Sequence, residues 1–243
     1  TGSRPISVVV GDFNIDTKAD VVTINTNAAG ISLFLGDGAG GFAPAFDIPT
    51  GTANPLVGVV GYFNNDTNHD LAIAHQNGTV SVMLGNGAGS FASPTTFTVG
   101  DRPVSMATGD FNIDGKQDLA IVRQFGNEVS ISFGDGAGGF ASATGFTADT
   151  ETTFVAVGDF NNDGKPDLAA AASNNKLAIL LNAGDGSFAT PTIFSVPGNG
   201  VASVVIGDFN NDGDNDVAVG HNTGVAVRFG NGAGSFGAPA NIT

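Results

Sequence analysis

Apolar and polar residues alternate along much of this chain with a period of two. Val129, Ile131 and Phe133 are separated by Ser130 and Ser132, and Val225, Val227 and Phe229 by Ala226 and Arg228. That period places successive side chains on opposite faces of an extended strand and does not suit a helix. The alternating runs are short and are separated by Gly, Asn and Asp, which close turns. Between residues 104 and 147 the pattern predicts four strands, Val104–Phe111, Leu119–Arg123, Val129–Phe133 and Ala141–Thr147. An Asp-rich loop, a polar turn and a Gly-rich hairpin would join them.

The same arrangement returns along the whole chain. One phrase occurs five times, as Gly11 to Asp20, Gly61 to Asp70, Gly109 to Asp118, Gly158 to Asp167 and Gly207 to Asp216. A second phrase keeps step with it, from Leu35 to Phe42, Leu84 to Phe91, Phe133 to Phe140, Leu181 to Phe188 and Phe229 to Phe236. Four short strands in about 49 residues fit one blade of a β-propeller. The expectation is all-β: a single five-bladed propeller over 1–243, with repeats near 1–51, 52–100, 101–149, 150–198 and 199–243. A four-stranded unit cannot bury both faces alone, so the units must stack. Thr1 to Pro5 matches the inter-repeat segment Val99 to Pro103, so the termini are expected to rebuild an ordinary junction. A linear solenoid is the less suitable alternative, because no polar capping repeat is present.

Composition narrows the function. The 23 acidic residues include only two Glu, Glu128 and Glu151, and face 8 Lys plus Arg, for a formal net charge of −15. Nucleic acid and anionic membrane surfaces are poor partners for such a chain. With 41% hydrophobic residues and 19 Phe, it can nevertheless build a core. Cysteine is absent, so neither a disulfide framework nor a thiolate metal site is possible. No run reaches membrane-span length, and Thr1 to Pro5 lacks signal-peptide character, so an export signal would have been removed or never present.

The Asp loops carry the chemistry. Counted from the first Asp, side-chain oxygens fall at positions 1, 3, 5 and 9, with a backbone carbonyl expected at position 7. Such a set of hard oxygens suits Ca²⁺. The candidate ligands are Asp12, Asn14, Asp16, the Lys18 carbonyl and Asp20 in the first repeat, and Asn64, Asp66, the Asn68 carbonyl and Asp70 in the second. The third repeat offers Asp110, Asn112, Asp114, Lys116 and Asp118, and the fourth Asp159, Asn161, Asp163, Lys165 and Asp167. Asp208, Asn210, Asp212, Asp214 and Asp216 complete the series. An EF-hand would need a bidentate Glu at position 12, where Ile121, Ala170 and Val219 stand in the last three repeats. Simple Asx turns explain one such loop. They do not explain fourteen carboxylates gathered in five clusters that would repel one another without a cation. Gly115, Gly164 and Gly213 at position 6 suit a left-handed bend, which Thr17 tolerates poorly. The second loop has Thr67 there and Tyr62 in place of the first Asp, and is expected to be the weakest or empty, giving four or five ions in all.

These two phrases, Gly-Asp-Phe-Asn-x-Asp-Gly-x-x-Asp and Leu-Gly-x-Gly-x-Gly-x-Phe, resemble the FG-GAP/VCBS repeat family. That family includes the integrin α-subunit propeller and some fungal lectins. The resemblance covers nearly all of the chain and implies blades with Ca²⁺ between their first two strands. The family's propellers typically have seven blades, against five repeats here.

No catalytic constellation is evident. His69, His75 and His221 fall in loops and turns without a matching nucleophile, and the two Glu form no pair. The Gly134 to Phe140 segment lacks the Gly-Lys-Ser/Thr ending of a phosphate loop. The expected function is noncatalytic adhesion or recognition outside the cell, through a protein or glycan ligand on the loops opposite the Asp loops. Those loops carry His75, Gln76, Asp101, Arg102, Arg123, Gln124, Asn174, His221 and Asn222. A carbohydrate-binding lectin is the alternative. With no Trp and only Tyr62, its sugar site would depend on hydrogen bonds and Phe.

Overall fold

A computed structural model describes residues 4–27, 30–124 and 126–242. Among the described residues every element is a β-strand, and no helix is long and apolar enough to cross a membrane. The first repeat contains β1 (Pro5–Gly11), β2 (Asp20–Asn25), β3 (Gly30–Phe34) and β4 (Phe46–Pro49), paired in that order in an antiparallel sheet. The second repeats the arrangement with β5 (Pro55–Gly61), β6 (Asp70–His75), β7 (Thr79–Met83) and β8 (Thr95–Thr98). The last does so with β16 (Ser203–Gly207), β17 (Asp216–His221), β18 (Gly224–Arg228) and β19 (Ala240–Ile242).

The third and fourth repeats depart from this separation. β9 (Pro103–Gly109), β10 (Asp118–Arg123), β11 (Gly126–Ser132), β12 (Thr144–Gly158), β13 (Asp167–Ala172), β14 (Lys176–Leu180) and β15 (Thr192–Ser195) form one seven-stranded sheet. Its joint is β12, fifteen residues long, which pairs with β11 through its first part and with β13 through its second. The expected fourth strand of the third repeat thus begins at Thr144, not Ala141, and continues as the first strand of the next. The first strand stops at Gly109, because Asp110 already belongs to the loop. A Gly126/Glu128 irregularity and a Thr152/Phe154 irregularity flank the joint and absorb the bend.

Second strands are buried most completely. All six residues of β6 and of β13 are inaccessible, and their sequences, Asp-Leu-Ala-Ile-Ala-His and Asp-Leu-Ala-Ala-Ala-Ala, are apolar without alternation between the first Asp and, in β6, the closing His75. A strand covered on both faces has no polar side to present, and alanine lets neighbouring sheets approach. Fourth strands are the exposed edge: β4, β8 and β15 each keep only their third residue partly buried.

Two compact units are distinguished, one comprising the chain up to Val104 with Phe133–Ser142, the other Ser105–Ser132 with the chain from Ala143. In the first, Val22, Ile24, Ile31 and Leu33 pack with Leu71, Ile73 and Met83. In the second, Ala169, Ala171, Leu177 and Ile179 pack with Val217, Val219 and Ala226. Phe133–Ser142 joins the first unit because Phe140 lies edge-on to Phe63, centroids 5.5 Å apart, and stacks on Phe97 at 5.1 Å.

That contact is one of four. Each Gly-rich hairpin is closed by an isolated bridge, Gly85↔Phe91 in the second repeat, and the hairpins of the second to fifth repeats set their Phe against the loop Phe of the preceding repeat. The pairs are Phe13 with Phe91, Phe63 with Phe140, Phe111 with Phe188 and Phe160 with Phe236, at 5.5 to 5.9 Å between centroids. Burying one such ring contributes about 2 to 3 kcal/mol. Phe13, Phe63, Phe111 and Phe160 are buried, whereas Phe209 of the last repeat is 46% exposed.

Candidate functional site

Every Asp loop joins the first strand of its repeat to the second, and four of the five share one hydrogen-bond pattern. In the fourth repeat, Asp159 Oδ1 and Asn161 Oδ1 both accept from the Asp163 N–H, each at 3.2 Å, so the oxygens of positions 1 and 3 converge on one point. Asp159 Oδ2 accepts from Gly164 N at 2.8 Å, and Asp163 Oδ1 accepts from Lys165 N at 3.0 Å. The first, third and fifth loops reproduce the shared acceptor pair around Asp16, Asp114 and Asp212 at 3.0 to 3.2 Å. In the second loop only Asn64 Oδ1 accepts from Asp66 N, because Tyr62 has no oxygen to offer there.

Backbone conformation follows the same division. Gly115, Gly164 and Gly213 are left-handed with φ of 82°, 80° and 93°, and Thr17 is forced to 68°. Thr67 is not left-handed, since its N–H has no first Asp to reach. A feature invisible in the sequence is that position 4 is left-handed in all five loops: Ile15, Asn65, Ile113, Asn162 and Asn211 have φ of 56° to 61°. For Ile this region costs about 1 to 2 kcal/mol.

Position 9 differs from the other donors. Asp20, Asp70, Asp118, Asp167 and Asp216 are all inaccessible to solvent. In each, Oδ2 accepts from the N–H of the loop Phe or Phe equivalent two positions into the phrase, at 2.7 to 2.9 Å. Oδ1 of Asp20, Asp70, Asp167 and Asp216 accepts at 2.8 Å from the residue that opens the hairpin, Gly36, Gly85, Asn182 and Gly230 respectively. A side chain on Gly36 or Gly85 would collide with the carbonyl of Ala19 or His69, which is why glycine stands there. The two sequence phrases are therefore joined at this carboxylate. Burial pushes the Asp70 and Asp167 carboxyls up, against the hydrogen bonds they accept.

Position 5 carries a cation of its own. Lys18, Lys116 and Lys165 place Nζ 3.0 to 3.3 Å from the outer oxygen of Asp16, Asp114 and Asp163. The Lys165 hydrogen bond, outweighing desolvation, holds Asp163 below the usual carboxylate range. Among the described residues no three His, Asp or Glu side chains form a ready-made metal cage. The donors here are mixed, carboxylate with amide oxygen, and each carboxylate oxygen that accepts one N–H retains a second lone pair.

The second loop has a different device. Tyr62 Oη lies 2.9 Å from His69 Nε2, with the rings stacked 5.0 Å apart, and His69 Nδ1 lies 2.9 Å from the Asp12 carbonyl oxygen. The tie to the preceding loop is made by His69, which Tyr62 holds from within its own loop.

At the opposite end of the second strands, the turns are less open than their sequence suggests. His75, expected on a binding surface, is completely buried: its Nε2 meets Ser81 Oγ at 2.8 Å, and Ser81 donates to the Thr50 carbonyl. Burial pushes its imidazole down to about 4, against a backbone contact with Ala53. Arg123 pairs with Glu128, and Asn174 Nδ2 donates to Asp149 Oδ1 at 3.2 Å. Gln76, Asp101, Arg102 and Asn222 are exposed, and Gln124 and His221 half-buried.

A model of the FG-GAP-like repeat matches residues 62–121, 114–170 and 159–219, three overlapping stretches that together run through well over half of the chain. No curated protein sequence matches. Among solved structures, the BP39L lectin from Burkholderia pseudomallei is similar with a TM-score of 0.75 and 16% identity, over 98% of this chain and 69% of that one. A lectin from Agrocybe aegerita, described as recognising non-reducing terminal N-acetylglucosamine, gives 0.65 and 20%, over 97% and 66%. BBS1N, solved in complex with ARL6DN, gives 0.68 and 14%, over 99% and 70%. The chain thus spans about two thirds of the length of these three structures. At these identities the likeness shows a shared, propeller-like fold.

Proposed function

This chain belongs to the FG-GAP-like repeat family, and from that premise we propose that it is a noncatalytic, calcium-binding propeller of five blades that serves recognition or adhesion outside the cell. The observation that carries the reading is the convergence of the position 1 and position 3 oxygens in four loops, together with its failure in the second. Oxygen-only donors on a tightly coiled segment suit Ca²⁺. The lysine ammonium against Asp16, Asp114 and Asp163 is a stand-in for a cation and would swing away when one binds. In the fourth loop Asp159, Asn161, Asp163, the Lys165 carbonyl and Asp167 would hold the ion, and the corresponding residues would do so in the first, third and fifth. The ion would supply positive charge to a carboxylate cluster, and the protein would bind its ligand elsewhere.

Affinity in the range of extracellular calcium modules would make the ion a structural element. A protein or glycan ligand is assigned to the turns remote from the Asp loops, where Gln76, Asp101, Arg102 and Asn222 are exposed. A lectin is the second reading, favoured by the two similar lectin structures. The test is calorimetric titration of metal-stripped protein beside a thermal melt. Four equivalents with an upward shift support the calcium reading, and each site at tenfold saturation stabilises by about 1.4 kcal/mol. No binding and no shift would sink it. Selective retention on a glycan array at saturating Ca²⁺ would replace protein adhesion by the lectin reading.

A further inference from the structure

Two Asp loops, the first and the fourth, are held from outside by the repeat that follows, at the residue that would contribute their first metal donor. In the fifth loop Asn215, at position 8, donates from Nδ2 to the Asp159 carbonyl oxygen at 2.8 Å. A second bond returns the contact, Asn162 Nδ2 to Asp214 Oδ1 at 2.7 Å. In the second loop His69, also at position 8, sets Nδ1 2.9 Å from the Asp12 carbonyl oxygen and 3.1 Å from its nitrogen. Asp159 and Asp12 each open their loops. The fourth loop supplies the contrast. Its position 8 is Pro166, which has no donor, and the neighbouring Asn182 Nδ2 reaches the Phe111 carbonyl at 3.0 Å instead of Asp110.

We propose that Asn215 is a positioning residue that couples neighbouring loops, so that calcium held in the fifth loop strengthens calcium binding in the fourth. The proposal rests on the calcium reading above. Its physical basis is that position 8 lies between two donors of its own loop, the position 7 carbonyl and the position 9 carboxylate. An ion held by both orders the residue between them, and that residue's side chain then fixes the backbone that carries Asp159. Ordering already achieved by one ligand need not be achieved again for the next, which is positive coupling. The third loop, facing Pro166, is not served in this way and acts as an internal control.

The experiment follows the amide resonances of Gly115, Gly164 and Gly213 in the full chain by nuclear magnetic resonance during calcium titration, so that each loop reports its own affinity. D212A, which disables the fifth loop, is expected to weaken binding at Gly164 by about fivefold or more and to leave Gly115 unchanged. In the background N162G/N215L, the D212A effect at Gly164 should vanish. Glycine is used at position 162 because φ there is 57°. If that pair lost the native spectrum, N215D removes the same donor with the same shape and is read in the same way. A Gly164 affinity indifferent to D212A would overturn the coupling while leaving the calcium reading intact. Absence of any calcium response at all three glycines in the unaltered chain would overturn both.

Discussion

Asp167 accepts the Phe160 N–H at 2.9 Å with one carboxylate oxygen and the Asn182 N–H at 2.8 Å with the other. The loop, the second strand and the hairpin of the fourth repeat therefore meet at one solvent-free side chain. Its role in folding does not depend on any ion. Asp167→Ala should cost about 2 to 5 kcal/mol in urea unfolding with chelator present, because two buried donors lose their acceptor. Asp159→Ala, at a half-buried position of the same loop whose backbone donors stay within reach of water, should cost about 1 kcal/mol under those conditions. Equal losses would show that position 9 has no special structural weight.

The ring contacts between repeats predict a graded mutational series. Phe160 is buried against Phe236, so Phe160→Ala should lower stability by about 3 to 5 kcal/mol. Phe209 holds the same place in its phrase but is half-exposed, and Phe209→Ala should cost about 1 kcal/mol. Thermal melts of the two variants check the ordering.

Ile15 and Ile113 are exposed and left-handed, with φ of 56° and 58°. Asparagine stands at this position in the other three loops and tolerates that region. Ile15→Asn and Ile113→Asn should each raise stability by about 1 kcal/mol, read as an increased denaturation midpoint. A lowered midpoint for both would mean that the isoleucine side chains contribute more by packing than their backbone strain costs.

His75 makes stability depend on pH. Its imidazole is pushed from 6.5 down to about 4 in the folded protein, so between these values the unfolded chain binds a proton that the native state refuses. The stability it protects is complete above pH 6.5 and is lost as pH falls towards 4, by up to about 3 kcal/mol. His75→Gln should flatten the pH dependence of unfolding free energy in that window. An unchanged slope would assign it to other groups.

The repeat and its strands were legible because they are written in period-two runs and in turn residues, both of which act locally. The convergence of Asp159 and Asn161 was likewise foreseeable, as alternate residues of one tight loop. What sequence reading missed lies in contacts between phrases. Asp167 looks like one more exposed donor until Asn182 is seen to close over it. His75 reads as a polar turn residue, yet it ends a strand buried on both faces and finds Ser81 there. Nothing in Ile113 announces a left-handed backbone, since the loop imposes it. The ties from Asn215 and His69 reach residues more than fifty positions away, beyond any local pattern.

The length of β12 bears on how the molecule comes apart. Amide protons exchange with solvent through cooperative openings, and such openings follow continuous ladders of hydrogen bonds. One sheet runs from β9 to β15, with register shifts beside the β12 joint, so the third and fourth repeats are expected to form a single exchange unit, whereas β16 to β19 can open alone. In a deuterium-exchange time course, the β10 and β13 amides would lose protection together while those of β17 report a separate event. A single strand shared by two sheets sets the grain of the protein's unfolding.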